Sequence, residues 1–175
     1  MRRASCVPGR GGDRRGGAGG GGLAGAAAIL FERLRSCTCG VGSAPSSDAE
    51  MWSRFPCIEA RGFIFGPAIA LAIGAKFIPL RKPKKLPGEV FSESYVLEYG
   101  MDCLEMHVGA IEPGERVVVV DDLVATGGTL SAAIRLLERA GANVVECACL
   151  IGLPKFKDFY KLNGKPVYIL VESRK

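Results

Sequence analysis

Apolar and polar positions along this chain sort into segments of different period. Residues 117–120 are four consecutive valines, Asp121 and Asp122 follow at once, and ATGGT occupies 125–129. A continuous β-branched run implies cover on both faces, so RVVVVDD (116–122) is expected as a central buried strand. In TLSAAIRLLERAG, Leu130, Ala133, Ile134 and Leu137 recur at helical spacing, and Gly141 stands where a C-terminal cap belongs.

Upstream, CIEARGFIF predicts a strand running into a turn at Arg61-Gly62. GPAIALAIGA predicts a compact helix with Pro67 in its first turn, where a missing N–H does no harm. KFIPLRK is the next expected strand, and RKPKKLPGE is a basic loop punctuated by prolines. SESYVLEYG and CLEMHVGA alternate as two strands about a turn at Gly100, and EPGE is a further turn. NVVECACLIGL and KPVYILVE supply the remaining strands. Strands alternating with helices give an α/β domain: a mostly parallel sheet flanked by helices, with a flexible basic loop and hairpin.

Composition divides the chain near residue 50. Residues 1–50 hold 12 of the 24 glycines and seven arginines without a lysine. RGGDRRGGAGGGGLAGAAA cannot bury enough apolar surface to offset its ordering entropy, so a disordered Gly/Arg-rich extension is expected over 1–50. Within it, AAAILFERLR (26–35) alone has helical potential. Organelle targeting ranks below a plain extension, because hydroxyl residues are sparse and Asp13 and Glu32 interrupt the positive charge. An RNA-binding tail is disfavoured by the near absence of Phe and Tyr.

For the whole chain, 175 residues, 48% hydrophobic content and mean hydropathy of +0.20 suit one domain with a tail. No apolar run reaches the roughly 18 residues of a membrane span. A net charge of +5 favours anionic partners without selecting nucleic acid over a phosphorylated metabolite. Seven cysteines, an odd number at irregular spacings, point to a reduced intracellular protein. Cys147 and Cys149 are expected as small hydrophobes in a buried strand.

The chemistry gathers where the valine strand ends. In an open parallel sheet, ligands collect beyond the carboxyl ends of the strands. Two glycines in Ala125-Thr126-Gly127-Gly128-Thr129 let successive N–H groups point inward at a helix start, which suits a phosphate. Asp121 and Asp122 would repel that phosphate and match the vicinal hydroxyls of a ribose instead. Together the two features describe a ribose 5-phosphate ligand. A strand ending in an Asp turn, with Thr129 as helix N-cap, is the plainer alternative. The GK[ST] lysine of a Walker loop is absent.

VVVVDDLVATGGT resembles the signature with which type I phosphoribosyltransferases bind 5-phosphoribosyl 1-diphosphate (PRPP). EARGFIFGPAIALAIGAKFIPLRKPKKLPGE, SYVLEYG and GERVVVVDDLVATGGTL resemble the adenine-specific branch of that family, its plant forms most of all. The likeness covers residues 58–175 and implies a phosphoribosyltransferase domain over 51–175. It implies transfer of ribose 5-phosphate from PRPP to adenine, giving AMP and pyrophosphate in purine salvage, with Mg²⁺ arriving on the substrate's phosphates.

By the same resemblance, Arg61 in Glu59-Ala60-Arg61-Gly62 meets pyrophosphate, as a bidentate phosphate ligand can. The loop of Arg81, Lys82, Lys84 and Lys85 closes over PRPP, with Lys85 the best candidate to touch the leaving group. Glu98 and Tyr99 fall at the active site, Glu98 assisting the proton at adenine. Asp121, Asp122 and Ala125 to Thr129 hold the ribose and its phosphate. His107, alone among its kind, is taken as structural. A cytoplasmic homodimer is expected, with no nucleic-acid or membrane partner. The family's adenine-covering helix and Pro-Gly segment have no counterpart in residues 1–56. A PRPP-binding relative without catalysis, or a transferase for another base, therefore stay as alternatives.

Overall fold

The computed structural model describes residues 53–97, 100–154 and 161–173. The expected extension over 1–50 lies outside these residues, as do Glu98 and Tyr99. Six strands form one sheet in the order β2-β1-β5-β6-β8-β7. They are β1 (Arg54–Ile58), β2 (Lys76–Leu80), β5 (Arg116–Val124), β6 (Asn143–Gly152), β7 (Lys161–Leu162) and β8 (Lys165–Glu172). All neighbours are parallel except the short β7, which pairs antiparallel with β8 and has no signal in the sequence pattern. β3 (Val90–Leu97) and β4 (Gly100–His107) form a separate antiparallel hairpin. Gly100, at φ +146°, opens β4 where the turn was expected.

The valine strand behaves as its composition requires. Val117 and Val119 pack toward α2 (Gly128–Arg139), with Leu130, Ile134 and Leu137. Val118 and Val120 pack toward α1 (Gly62–Ile73), with Phe65 and Ile69. All four valines are fully buried. β5 runs further than expected: it carries Asp121 and Asp122 inside the strand and ends at Val124, paired through to Gly152. Gly141, at φ +90°, follows the end of α2, and the Ala142 N–H reaches back to the Leu137 carbonyl.

Two expectations at the start of the domain are corrected. The first strand is RFPCI, beginning at Arg54 rather than Cys57, with Phe55 to Ile58 all buried. Arg54 is anchored there by Glu115, at 2.7 Å. The strand stops at Ile58, so Phe63-Ile64-Phe65 is helical and the turn comes at Glu59–Arg61. Consequently Pro67 sits in the helix interior, not its first turn. A short apolar run suits a buried strand and a buried helix alike, and period alone does not separate them.

α1 lacks any polar side chain, so its inner and outer faces are both apolar. Its inner face approaches β1 closely at Gly66, where an added Cβ would lie 1.9 Å from Cys57 Sγ. Its outer face exposes Ile64 (52%) and Leu71 (84%). Pro79, in β2, occupies an edge strand, where a missing N–H costs no ladder bond on the open side. Cys57, Cys147 and Cys149 are buried free thiols, the role expected for the latter two.

Candidate functional site

At the carboxyl edge of the sheet, β1 and β5 each pass directly into a turn and a helix. The turn after β1 carries Glu59, Ala60 and Arg61, joined by a cis peptide between Glu59 and Ala60. The turn after β5 is the bend Ala125–Gly127, and α2 begins at Gly128. Between these turns lies an open cavity of about 380 Å³, lined among others by Glu59, Arg61, Lys82, Asp121, Asp122 and Thr129.

A second hollow of about 130 Å³ is formed by the bend itself, with all of Ala125, Thr126, Gly127, Gly128 and Thr129 in its wall. Gly127 adopts φ +83°, a left-handed conformation that suits glycine, and caps α2. Thr129, the N-cap of the plainer sequence alternative, is already inside the helix. The helical ladder starts with Ser131 N–H donating to the Gly127 carbonyl at 2.8 Å. Amides of Gly128, Thr129 and Leu130 precede it and lack an intrahelical acceptor, which with the helix dipole favours an anion.

The two aspartates differ in setting. Asp121 is 7% exposed and lines both hollows. Its Oδ1 accepts the Asp122 N–H at 2.8 Å. Burial pushes its carboxyl well above the ordinary carboxylate range, and the neighbouring Asp122 charge adds to that rise. Asp122 is more open and meets Arg61, whose Nε lies 2.6 Å from its Oδ2. Both acids therefore reach the larger cavity, and Asp121 is the one that also reaches the bend.

The basic loop after β2 is seated by acids. Arg81 pairs in backbone with Glu105 of β4, at 2.8 and 2.9 Å. The Glu59 carboxylate receives Arg81 Nε at 3.2 Å, the Lys82 N–H at 2.9 Å, and the Lys85 ammonium. Burial alone would raise the Glu59 carboxyl, but the hydrogen bonds from Lys85, Lys82 and Arg81 outweigh it and hold it at about 2, below its ordinary 4.5.

Lys85, favoured from the sequence for the leaving group, is thus bound to Glu59 at the rim, while Lys82 lines the cavity. Glu59's organising part was not foreseen; four cations within five residues called for a nearby acid, and that was its signal. Leu123, to which the sequence pattern assigns no role, also lines both hollows. His107 ends β4, half-buried and outside the walls of both hollows. Among the described residues, no group of three or more His, Cys, Asp or Glu could hold a metal ion.

The parallel sheet thus carries a hollow at a helix start after one strand and a cation-bearing turn after its neighbour, both suited to anionic groups. The phosphoribosyl transferase domain matches residues 54–165, and the chain belongs to that family. Its relatives include adenine phosphoribosyltransferase 5 of Arabidopsis thaliana, 76% identical over 115 residues, which are 66% of this chain and 60% of that protein. An adenine phosphoribosyltransferase of Yersinia pestis (strain Pestoides F) is 58% identical over 110 residues, 63% of this chain and 59% of its own. The chain therefore spans about three-fifths of the length of these relatives.

Among solved structures, the adenine phosphoribosyltransferase of Rhodothermus marinus superposes with a TM-score of 0.73 at 41% identity, over 86% of this chain and 79% of that one. The Saccharomyces cerevisiae enzyme, crystallised with adenine and an imino-altritol bisphosphate, gives 0.71 at 39% identity over 82% and 76%. The fold is the one that the sequence resemblance implied.

Proposed function

We propose that this chain transfers the 5-phosphoribosyl group of PRPP to adenine, forming AMP and pyrophosphate in purine salvage. The observation that carries this reading is that Asp121 and Asp122 line one cavity with Arg61 and Lys82, while Asp121 also lines the hollow of the amide-lined bend. Each part of the substrate then has a partner of suitable charge. The bend takes the 5-phosphate, and the aspartates accept from the ribose hydroxyls. Arg61, Lys82 and the rim cations Arg81 and Lys85 face the pyrophosphate.

As the bond from ribose C1 to the pyrophosphate oxygen lengthens, negative charge grows on the departing group and positive charge on the sugar. Cations and carboxylates that line the same cavity oppose both charges, the cations at the departing group and the carboxylates at the sugar. Adenine nitrogen then bonds to C1 and gives up its proton, for which Glu98 is the acceptor we assign, with Tyr99 beside it. Mg²⁺ arriving with the substrate would supply further neutralisation of the charge that Arg61 and Lys82 face. The two adjacent aspartates are too few donors for a resident ion and suit one carried by substrate.

Adenine is assigned as the base because the relatives carry that name. We further infer a homodimer, supported by the apolar outer face of α1, and a cytoplasmic location. No helix among the described residues is long and apolar enough to cross a membrane. The test is turnover by the purified full chain with PRPP, Mg²⁺ and a panel of adenine, guanine, hypoxanthine and uracil. AMP formed from adenine alone supports the reading. Tight PRPP binding without product from any base would replace it with a PRPP-binding role.

A further inference from the structure

Lys82 is held at both ends. Its N–H is bound by Glu59, and its ammonium is bound by two side chains from the β3–β4 hairpin. Those two, Tyr95 and Asp102, are direct partners across the hairpin register. Tyr95 is 5% exposed, packed in the core that holds Leu104 and Met106. Its hydroxyl oxygen accepts from Lys82 at 3.0 Å, and its O–H lies 3.3 Å from Asp102 Oδ2, which also pairs with the lysine. The ammonium further lies 5.6 Å from the Tyr95 ring centroid.

We propose that Tyr95 and Asp102 are positioning residues, whose task is to hold the Lys82 ammonium at the pyrophosphate end of the cavity. This rests on the phosphoribosyl-transfer reading for the identity of the ligand. A free lysine side chain loses rotamer freedom when a ligand fixes it. The hairpin fixes Lys82 beforehand, so that cost falls on folding rather than on binding. An ammonium has three donors. Tyr95 and Asp102 occupy two of them, which leaves the third for a phosphate oxygen. Burial would weaken the positive charge, but the bonds to Asp102 and Tyr95 more than restore it and shift the lysine above its ordinary value. Asp102 moves the opposite way: burial opposes, and the Lys82 bond holds its carboxyl below the usual range.

The experiment is a double-mutant cycle on the full chain, read by calorimetric binding of magnesium pyrophosphate, which requires no turnover. Tyr95→Phe keeps the ring in the core and removes one hydroxyl; Asp102→Asn keeps the shape and removes the charge. Each is expected to weaken pyrophosphate binding by about 3- to 10-fold, the size of one ordinary hydrogen bond's net contribution, because the lysine loses one of its two hairpin partners. In a Lys82→Ala background, both are expected to be silent. In turnover, they raise KM for PRPP and leave KM for adenine unchanged. Undiminished binding in the folded single variants would overturn the proposal, and so would equal losses with and without Lys82. If Asp102→Asn fails to fold, the Tyr95→Phe cycle decides alone. A wild-type chain that binds pyrophosphate but turns over no base sinks the transferase reading and leaves this cycle to judge the positioning.

Discussion

Arg61 closes an ion pair with Asp122 across the mouth of the cavity, Nε to Oδ2 at 2.6 Å, although the arginine side chain is 68% exposed. An exposed pair of this kind contributes about 0–1 kcal/mol. Breaking it is therefore a small cost beside hydrogen bonds from ribose hydroxyls to a carboxylate, at about 1.5–3 kcal/mol each. Under the proposed function, substrate would exchange these partners, with ribose hydroxyls taking Asp122 and Arg61 released to the pyrophosphate.

Asp122→Asn is accordingly expected to weaken PRPP binding by about 10-fold or more, the loss of one charged hydrogen bond. Stability measured by urea unfolding should change by less than about 1 kcal/mol, because only an exposed pair is lost. Unchanged PRPP affinity would remove the hydroxyl contact from Asp122.

Asp121→Asn should separate stability from function. A carboxyl raised in the folded state by burial keeps a proton that the unfolded chain gives up, so its cost to stability grows as pH rises from the ordinary carboxylate range toward about 8 and levels off above it. Asparagine keeps an oxygen for the Asp122 N–H and carries no charge. The variant is expected to unfold at higher urea than the wild type at pH 8, with the gap closing at pH 5, while PRPP binding falls. A loss of stability at pH 8 would contradict the desolvation argument.

The valine strand, the amphipathic helix after it and the bend between them could be read from the sequence, because each has one period and one turn chemistry. The Arg61 turn could not be placed as well. GFIF is apolar throughout, so period alone does not separate strand from helix there, and the helix it forms packs closely on β1 where Gly66 meets Cys57. Likewise, the family resemblance assigned the basic loop to PRPP, but which lysine reaches the cavity depends on Glu59, Tyr95 and Asp102, spread over 44 positions of chain from Glu59 to Asp102. Sequence spacing carries no trace of that selection.

Glu59 gives a pH signature of opposite sign. Its folded value is about 2 against an ordinary 4.5, so its stabilisation is fully present above about pH 4.5 and is lost as pH falls toward 2. Glu59→Gln should therefore be less stable than the wild type at pH 7, with the difference shrinking by pH 3, in paired urea titrations. The same variant is expected to raise KM for PRPP, since Arg81, Lys82 and Lys85 lose their common anchor.

Leu71, 84% exposed on the apolar face of α1, tests the assembly. Light scattering should find the wild-type chain dimeric and Leu71→Glu monomeric or in concentration-dependent exchange. A wild-type monomer at all concentrations would remove the homodimer from the account.

The most direct test of the central claim, ribose hydroxyls on the aspartates and a phosphate in the bend, is calorimetric binding of three ligands to the full chain. AMP is expected to bind, while adenosine and 2′,3′-dideoxy-AMP each bind at least about 10-fold more weakly, one lacking the phosphate and the other the hydroxyls. Adenosine binding as tightly as AMP would contradict the assignment of the bend, and dideoxy-AMP binding as tightly would contradict that of Asp121 and Asp122.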